Sequence, residues 1–582
     1  MDGRAKVTGQ TRFADDIYLP RMLWCKLLRS RLPHARIAAI RTEKALAAPG
    51  VKLVLTGRDF PIAYGILPVS QDEHALAPDV ARFVGDPVAA VIARSEEQAD
   101  AALALIEVDY EPLATIADAL EALRTPEPRI HDYGDEGNVH KRVALEFGDV
   151  DAALQGADRV FEDIFFYEGN THLPIEQHAA VAALDPDGKL CLWSSTQTPH
   201  YVHRALARAL AIPAAQIRVV ATPNGGGFGG KSDPFPHEIV VAKAALLTGR
   251  PVKVCLTREE VFYCHRGRHP VLMRFKTGVR NDGTIVGVDL ETLLDGGAYG
   301  SYGVASTFYT GALQTVTYKI PRYRFRGCRA FTNKPPCGPK RGHGTVQPRF
   351  GQEIQLDKIA VALVRDPAYL RLQQIAEANS LTANYLRIGT IGLRQCIERV
   401  VEGSRWRERR SKMGLGSGAA GRSPRGLGLA CSSYLCGAGL PIYWNDLPHT
   451  GVQLRLDRSG EVTAFCGATE IGQGSDDVLA ATVAEILGID PLRDVRVVTG
   501  DTSLTPVDLG SYSSRVTLMM GHAAIQAAER ARELIASSVA RKLDVPKNRL
   551  VFADRSVLDA SDPARRLSFQ DAVILAEAEH GT

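Results

Sequence analysis

Thr222-Pro-Asn-Gly-Gly-Gly-Phe-Gly-Gly-Lys231 decides the reading of this chain, because five glycines and one aromatic follow directly on the apolar run Ile217-Arg-Val-Val-Ala221. That order predicts a strand that ends in a glycine loop. Glycine has no Cβ, so it accepts positive φ and lets backbone N–H groups approach an electron-rich ligand such as a phosphate or an oxo group. Gly225 to Ser232 also satisfies G-x-x-x-x-G-K-[ST], the nucleotide P-loop pattern. The next residues, Asp233-Pro-Phe-Pro236, oppose that reading, since a P-loop helix starts at its Lys-Ser and Pro236 would stand opposite Ser232 in the first turn. A helix starting near His237 and stopping at Gly249 fits better. Ile285-Val-Gly-Val-Asp289, the one run suited to a Walker-B strand, follows the hairpin signal Asn281-Asp-Gly283 and reads as an ordinary antiparallel strand. A P-loop NTPase and a plain structural turn remain the alternatives to a loop that shows N–H groups and one ring to another ligand.

The composition is that of a large globular chain. With 582 residues, 45% hydrophobic and 23% charged, the chain can bury several cores. A net charge of +3 favours neither nucleic acid nor a membrane surface. No apolar run approaches the roughly 20 residues of a membrane span, and Met1-Asp-Gly-Arg-Ala-Lys6 lacks a signal peptide's apolar segment. The expected location is cytoplasmic. Ten scattered cysteines without C-x-x-C read as buried or free thiols, with no iron–sulfur spacing.

Outward from the loop, Met22–Leu28, Val51–Thr56 and Pro87–Ala93 read as strands, and Ser95–Leu105 as a helix with a capping box from Ser95 to Gln98. Phe165–His178 carries two histidines and two carboxylates. His172 and His178 are six apart, which fits no common zinc pair, so a structural network is favoured over ligation. His265-Arg-Gly-Arg-His269 reads as an exposed or packed strand, because no wider basic field surrounds it. Thr332–Thr345 sets three prolines and three glycines around Arg341, a rigid irregular backbone that fixes one cation. Helices are expected around Asp357–Ala362 and Pro367–Leu372. Gly414–Pro424 is glycine- and serine-rich and reads as a linker. Beyond it, a second unit is expected to begin at Gly426, where Gly472-Gln-Gly474 precedes a helix and can offer N–H groups and an amide to an anion.

Together these motifs resemble the molybdenum-cofactor-binding large subunit of the xanthine dehydrogenase and aldehyde oxidase family. The Gly-Gly-Phe-Gly-Gly loop, Thr196-Gln197 upstream of it, and Arg341-Gly-His-Gly344, Gly472-Gln-Gly474 and Gly510-Ser-Tyr-Ser-Ser-Arg515 downstream occur in the family's order. The resemblance implies an α+β fold: an α/β hammerhead domain over 1–118, a linker over 119–145, and two elongated molybdopterin-binding domains over 146–395 and 426–582, separated by a linker at 403–425. It implies catalytic roles for Gln197, Phe228 and Arg341. Cofactor binding falls to Gln197, Gly226, Gly227, Phe228, Gly229, Arg341, Gly472, Gln473, Gly474, Ser513, Ser514 and Arg515, with no side chain ligating the metal, which is held through the pterin.

The same resemblance implies a molybdenum–pterin cofactor, as molybdopterin or its cytosine dinucleotide, with iron–sulfur clusters and FAD on partner subunits in a dimer of heterotrimers. The family's C-terminal glutamate has no counterpart, so the second molybdopterin-binding domain is expected to be incomplete at its C-terminus and the chain catalytically incomplete. Ser232, and a run from Ser301 to Gln314 without arginine, depart from xanthine-type members; Gly342 departs from carbon monoxide dehydrogenases. Tyr309–Leu313, Pro335–Gly338, Arg341–Thr345 and Gly510–Thr517 look most like 4-hydroxybenzoyl-CoA reductase, implying an aromatic CoA thioester substrate and reductive dehydroxylation. The alternatives are an aldehyde or N-heterocycle hydroxylase of the same family, the P-loop NTPase, and a non-catalytic remnant.

Overall fold

The structure is a computed structural model and describes residues 2–263, 266–412, 426–437 and 450–580. It is α+β, built on three main sheets. The first has seven strands in the order Ile217–Ala221, Leu190–Ser194, Ala179–Leu184, Val252–Cys255, Leu23–Arg29, Pro87–Ala93 and Val51–Thr56. Pro87–Ala93 is buried along its whole length, which is why it reads as an unbroken apolar run and not as an alternating one. This sheet crosses the boundary expected after residue 118, because Leu23 and Trp24 pair in parallel with Val252 and Lys253. The hammerhead strands and the strands that carry the glycine loop therefore form one layer.

The second sheet has five strands in the order Val139–Phe147, Tyr323–Ala330, Ile285–Asp295, Val271–Val279 and Arg159–Tyr167. Ile285–Asp295 pairs antiparallel with Val271–Val279 across the Asn281–Gly283 turn, as the hairpin signal predicts. The expected linker at 119–145 is corrected here. It contains the helix Ala119–Arg124, capped by Asp118, and the first half of the edge strand Val139–Phe147, whose inward residues Val143, Leu145 and Phe147 pack on the core. Prolines and glycines before residue 139 hide that alternation.

The third sheet, Val452–Leu456, Val462–Cys466 and Val495–Thr499, is covered by the helices Ser475–Leu487, Gly521–Leu543 and Phe569–His580. Gly426–Ala430 does not open this unit as expected. Leu427, Leu429 and Cys431 pack on the five-stranded sheet's core, and the Cys431 N–H donates to Glu353 at 2.9 Å.

The helix after the glycine loop runs from Pro236 to Thr248, with Gly249 in the left-handed conformation as its cap. Proline is tolerated at its first position because that N–H has no partner in any helix. Ile239, Val240, Val241 and Ala242 are fully buried, and each large one contributes roughly 1.5–3 kcal/mol by burial. Ser95 accepts from the Gln98 N–H at 3.3 Å, but the reciprocal half of the expected capping box is not formed: the Gln98 amide lies against Gly50. Arg266 is buried and paired with Glu73 and Asp233, so the basic cluster at 266–269 is packed inside; His265 and the Gly414–Pro424 linker lie outside the described residues. No helix among the described residues is long and apolar enough to cross a membrane.

Candidate functional site

The glycine loop leaves the strand Ile217–Ala221 and turns back toward the helix Pro236–Thr248. Gly226 and Gly229 have φ of +97° and +98°, and a Cβ on Gly229 would stand 2.5 Å from the Pro339 oxygen, so only glycine fits there. Phe228 itself sits at φ +56° and is 39% exposed.

Gln197 is fully buried and ties this loop to a distant one. Its Oε1 accepts from the N–H groups of Gly229 at 3.0 Å and Lys231 at 3.3 Å, and its Nε2 donates to the Ser511 oxygen at 2.7 Å. The Ser511 N–H returns a bond to the Gln197 oxygen at 2.9 Å. Among the described residues, Gln197 Nε2 has this one acceptor, and the residue lines the cavity described below. Arg341 donates its N–H to the Phe228 oxygen at 2.9 Å and lays its guanidinium 5.4 Å from the Phe228 ring centroid, so the two predicted residues form one wall.

Three residues that sequence reasoning took only as a local cluster brace these loops. Glu176 Oε2 accepts from the Gly225 N–H at 2.8 Å and from Lys231 Nζ at 2.6 Å, holding both ends of the loop. His172 Nε2 bonds the Pro339 oxygen at 2.7 Å and His178 Nε2 the Gly230 oxygen at 2.9 Å. Burial pushes the His172 imidazole down to about 4 and lowers Lys231, whose charge Glu176 partly restores. Lys231 is buried and paired, so it is not offered to a phosphate as a P-loop lysine would be.

The 472–474 turn and the 510–515 loop complete the enclosure. Gln473 uses its amide within its own turn, accepting from the Ile471 N–H and donating to the Thr469 oxygen and Ser475 Oγ. In this structure the Gln473 amide shapes the turn, and the residue lines the cavity. Arg515 is buried with Nη1 on Asp508 at 2.6 Å and on the Gly510 oxygen at 2.9 Å, so its guanidinium fixes the loop. Ser513 and Ser514, at φ +51° and +50°, are successive left-handed residues at a cost of about 1–3 kcal/mol each. Successive N–H groups in such a turn form a concave anion cradle.

All twelve predicted positions except Gly227 and Gly474 line one open cavity of about 970 Å³, and these two lie within the same loops. Gly227 is pressed from behind, where a Cβ would meet Gln197 Oε1 at 2.4 Å. Lys6, Phe13, Tyr302, Tyr309, His343, Tyr434 and Tyr512 line the cavity too; of these only Tyr309, His343 and Tyr512 stand in the quoted motifs, where no role was assigned to them. His343 bonds Ser306 at 2.6 Å and meets the Tyr302 and Tyr309 rings edge-on; burial, helped by the Arg268 charge, pushes its imidazole down to about 3. Among the described residues, no group of three His, Cys, Asp or Glu side chains is arranged to hold a metal ion.

The chain matches the molybdopterin cofactor-binding domain over residues 130–375 and again over 399–581, and the aldehyde oxidase and xanthine dehydrogenase a/b hammerhead domain over 8–114. It is 34% identical over 562 residues to the xanthine dehydrogenase molybdenum-binding subunit of Escherichia coli O157:H7, spanning 93% of this chain and 72% of that one. The chain belongs to the xanthine dehydrogenase and aldehyde oxidase family of molybdenum-binding subunits.

Within that family it is also 36% identical over 408 residues to the nicotinate dehydrogenase large molybdopterin subunit of Eubacterium barkeri, covering 69% of this chain and 94% of that one. Quinoline 2-oxidoreductase from Pseudomonas putida 86 superposes with a TM-score of 0.89 at 27% identity, over 99% of this chain and 75% of that one. The cofactor of this chain is a molybdenum–pterin, and the cavity suits that group: glycines of three loops line it, a serine turn offers N–H groups, and among the described residues no group of His, Cys, Asp or Glu side chains is arranged to ligate a metal.

Proposed function

We propose that the chain is the catalytic subunit of a molybdenum hydroxylase acting on a planar N-heteroaromatic ring or an aromatic aldehyde. The observation that carries this reading is the cavity wall made by Phe228, Tyr302, Tyr309 and His343, four flat side chains beside the Gln197 amide. Apolar aromatic walls with a few placed polar groups are the usual form of a small-molecule site. The names of two relatives, a nicotinate dehydrogenase and a quinoline oxidoreductase, support a heteroaromatic ring.

When bound, the molybdenum–pterin group supplies the oxygen-transfer and electron-accepting chemistry. The chain's residues do the rest. Gln197, pinned at three points, would offer its second amide hydrogen to that group. The Phe228 ring under Arg341 limits how a flat substrate enters. Burial disfavours the charged form of His343, so this wall adds no positive charge beside the ring. Net, a carbon–hydrogen bond is replaced by carbon–oxygen with oxygen from water, and two electrons and two protons leave. Iron–sulfur and FAD partner subunits, in a cytoplasmic dimer of heterotrimers, carry the electrons away; the family resemblance supports this assignment.

A second reading is reductive dehydroxylation of 4-hydroxybenzoyl-CoA, favoured by the runs Tyr309–Leu313 and Gly510–Thr517. One assay separates the two. The complex purified with its partners is given nicotinate, quinoline or benzaldehyde with a dye acceptor, and separately 4-hydroxybenzoyl-CoA with a low-potential reductant. Hydroxylated product carrying oxygen from labelled water supports the first reading, benzoyl-CoA supports the second, and neither product in a molybdenum-loaded complex counts against both.

A further inference from the structure

The Gly472–Gly474 turn opens on the cavity, and the helix Ser475–Leu487 starts from it. The N–H groups of such a helix start ordinarily take a ligand anion. Here a carboxylate of the chain takes them. Glu470 Oε1 accepts from the N–H groups of Gly472 at 2.7 Å and Gly474 at 3.1 Å, and Oε2 accepts from the Asp476 N–H at 3.2 Å and Ser475 Oγ at 3.5 Å. The Glu470 side chain is buried. With the Gln473 amide closed on Thr469, Ile471 and Ser475, the turn is complete without a ligand.

The turn lines the cavity through Gly472 and Gln473. Where a Cβ would stand on Gly472 the nearest atom is the Asn224 oxygen at 4.0 Å, and on Gly474 there is nothing within 4 Å. A phosphate brought to the inner side would meet the Glu470 charge at the same N–H groups. Across the cavity, Ser513 to Thr517 also lies at a helix start, with two left-handed residues and no carboxylate of the described residues on its N–H groups.

We propose that Glu470 is a positioning residue for the molybdopterin cofactor: an internal anion that fixes the 472–474 turn as one wall of the cavity and leaves the cofactor's negative end to the Ser513–Thr517 cradle. The proposal rests on the family's cofactor occupying this cavity. Carboxylates that orient a binding shell without touching the bound group commonly change its retention by about 10–100-fold when removed.

The test is the molybdenum and released-pterin content per folded chain, with folding followed by circular dichroism, in complexes purified with their partners. Glu470→Ala is expected to lower both about 10-fold or more. Glu470→Gln keeps an acceptor oxygen for Gly472 and Gly474 and is expected to restore most of the load. Asp476→Asn changes a side chain the cradle does not use and is expected to stay fully loaded. A folded Glu470→Ala complex with full load overturns the proposal, as does a Glu470→Gln complex as empty as Glu470→Ala. Where Glu470→Ala does not fold, Glu470→Asp decides: it keeps the charge but withdraws the oxygens, so a reduced load supports the proposal and a full load overturns it. A wild-type complex without molybdenum counts against the cofactor reading itself, a result distinct from any failure of Glu470.

Discussion

Gln197 and Ser511, 314 residues apart, bond each other twice: Gln197 Nε2 to the Ser511 oxygen at 2.7 Å, and the Ser511 N–H to the Gln197 oxygen at 2.9 Å. The same Gln197 side chain holds the Gly229 and Lys231 N–H groups. One residue thus aligns the two loops that face each other across the cavity. Gln197→Ala leaves those buried N–H groups and the Ser511 oxygen without partners, at about 1–3 kcal/mol for each that water cannot reach. The expected result is a lower thermal midpoint and a lost molybdenum load, measured together on the same preparation. An unchanged midpoint would contradict the bridging role.

Arg341 and Phe228 form a cation–π pair in the cavity wall. Arg341→Lys keeps the charge but not the flat face, and a cation–π contact at an exposed site is worth about 0.5–1 kcal/mol. Stability should barely move, while turnover falls and KM for an aromatic substrate rises. Wild-type kinetics in Arg341→Lys would remove Arg341 from the site.

Glu176 is the only ion-pair partner of the buried Lys231 among the described residues. Removing one partner of a buried pair costs about 3–5 kcal/mol, whereas replacing both by apolar groups is often neutral. Glu176→Gln should therefore destabilise the protein strongly, and Glu176→Gln with Lys231→Met should recover most of the loss. A double variant as unstable as the single one would show that the charge pair is not what holds the loop.

Burial raises Glu238, at the start of the helix after the loop, to about 7, opposed by bonds from Ser194 Oγ at 2.6 Å and the Phe235 N–H at 2.8 Å. Its folded value lies above the unfolded 4.5, so the folded state binds the extra proton between those values. This group's contribution to stability therefore falls as pH rises from about 4.5 to 7, by up to roughly 1.4 kcal/mol per pH unit. Glu238→Gln, which keeps the acceptor for Phe235, should flatten that part of the stability profile in denaturant titrations. A profile as steep as wild type would place the titration elsewhere.

What was legible in the sequence depends on local chemistry. Glycine at positive φ, Pro236 at a helix start and the Asn281–Gly283 turn each carry their conformation in a few neighbouring residues, and the structure forms them where the residues ask for them. What was not legible depends on distant partners. Nothing near Glu176 announces Lys231, 55 residues on, and nothing near Leu23 announces its pairing with Val252. Glu470 reads as any polar residue before a turn until its carboxylate is seen under three N–H groups. Tyr302, Tyr309 and His343 come from two separate segments, so their common wall appears only in three dimensions.

The most direct measurement is the molybdenum and pterin content of the chain purified together with its partner subunits. The account predicts molybdenum stoichiometric with the chain, released with a pterin, and lost from Gln197→Ala. A folded wild-type complex holding neither metal nor pterin would contradict it.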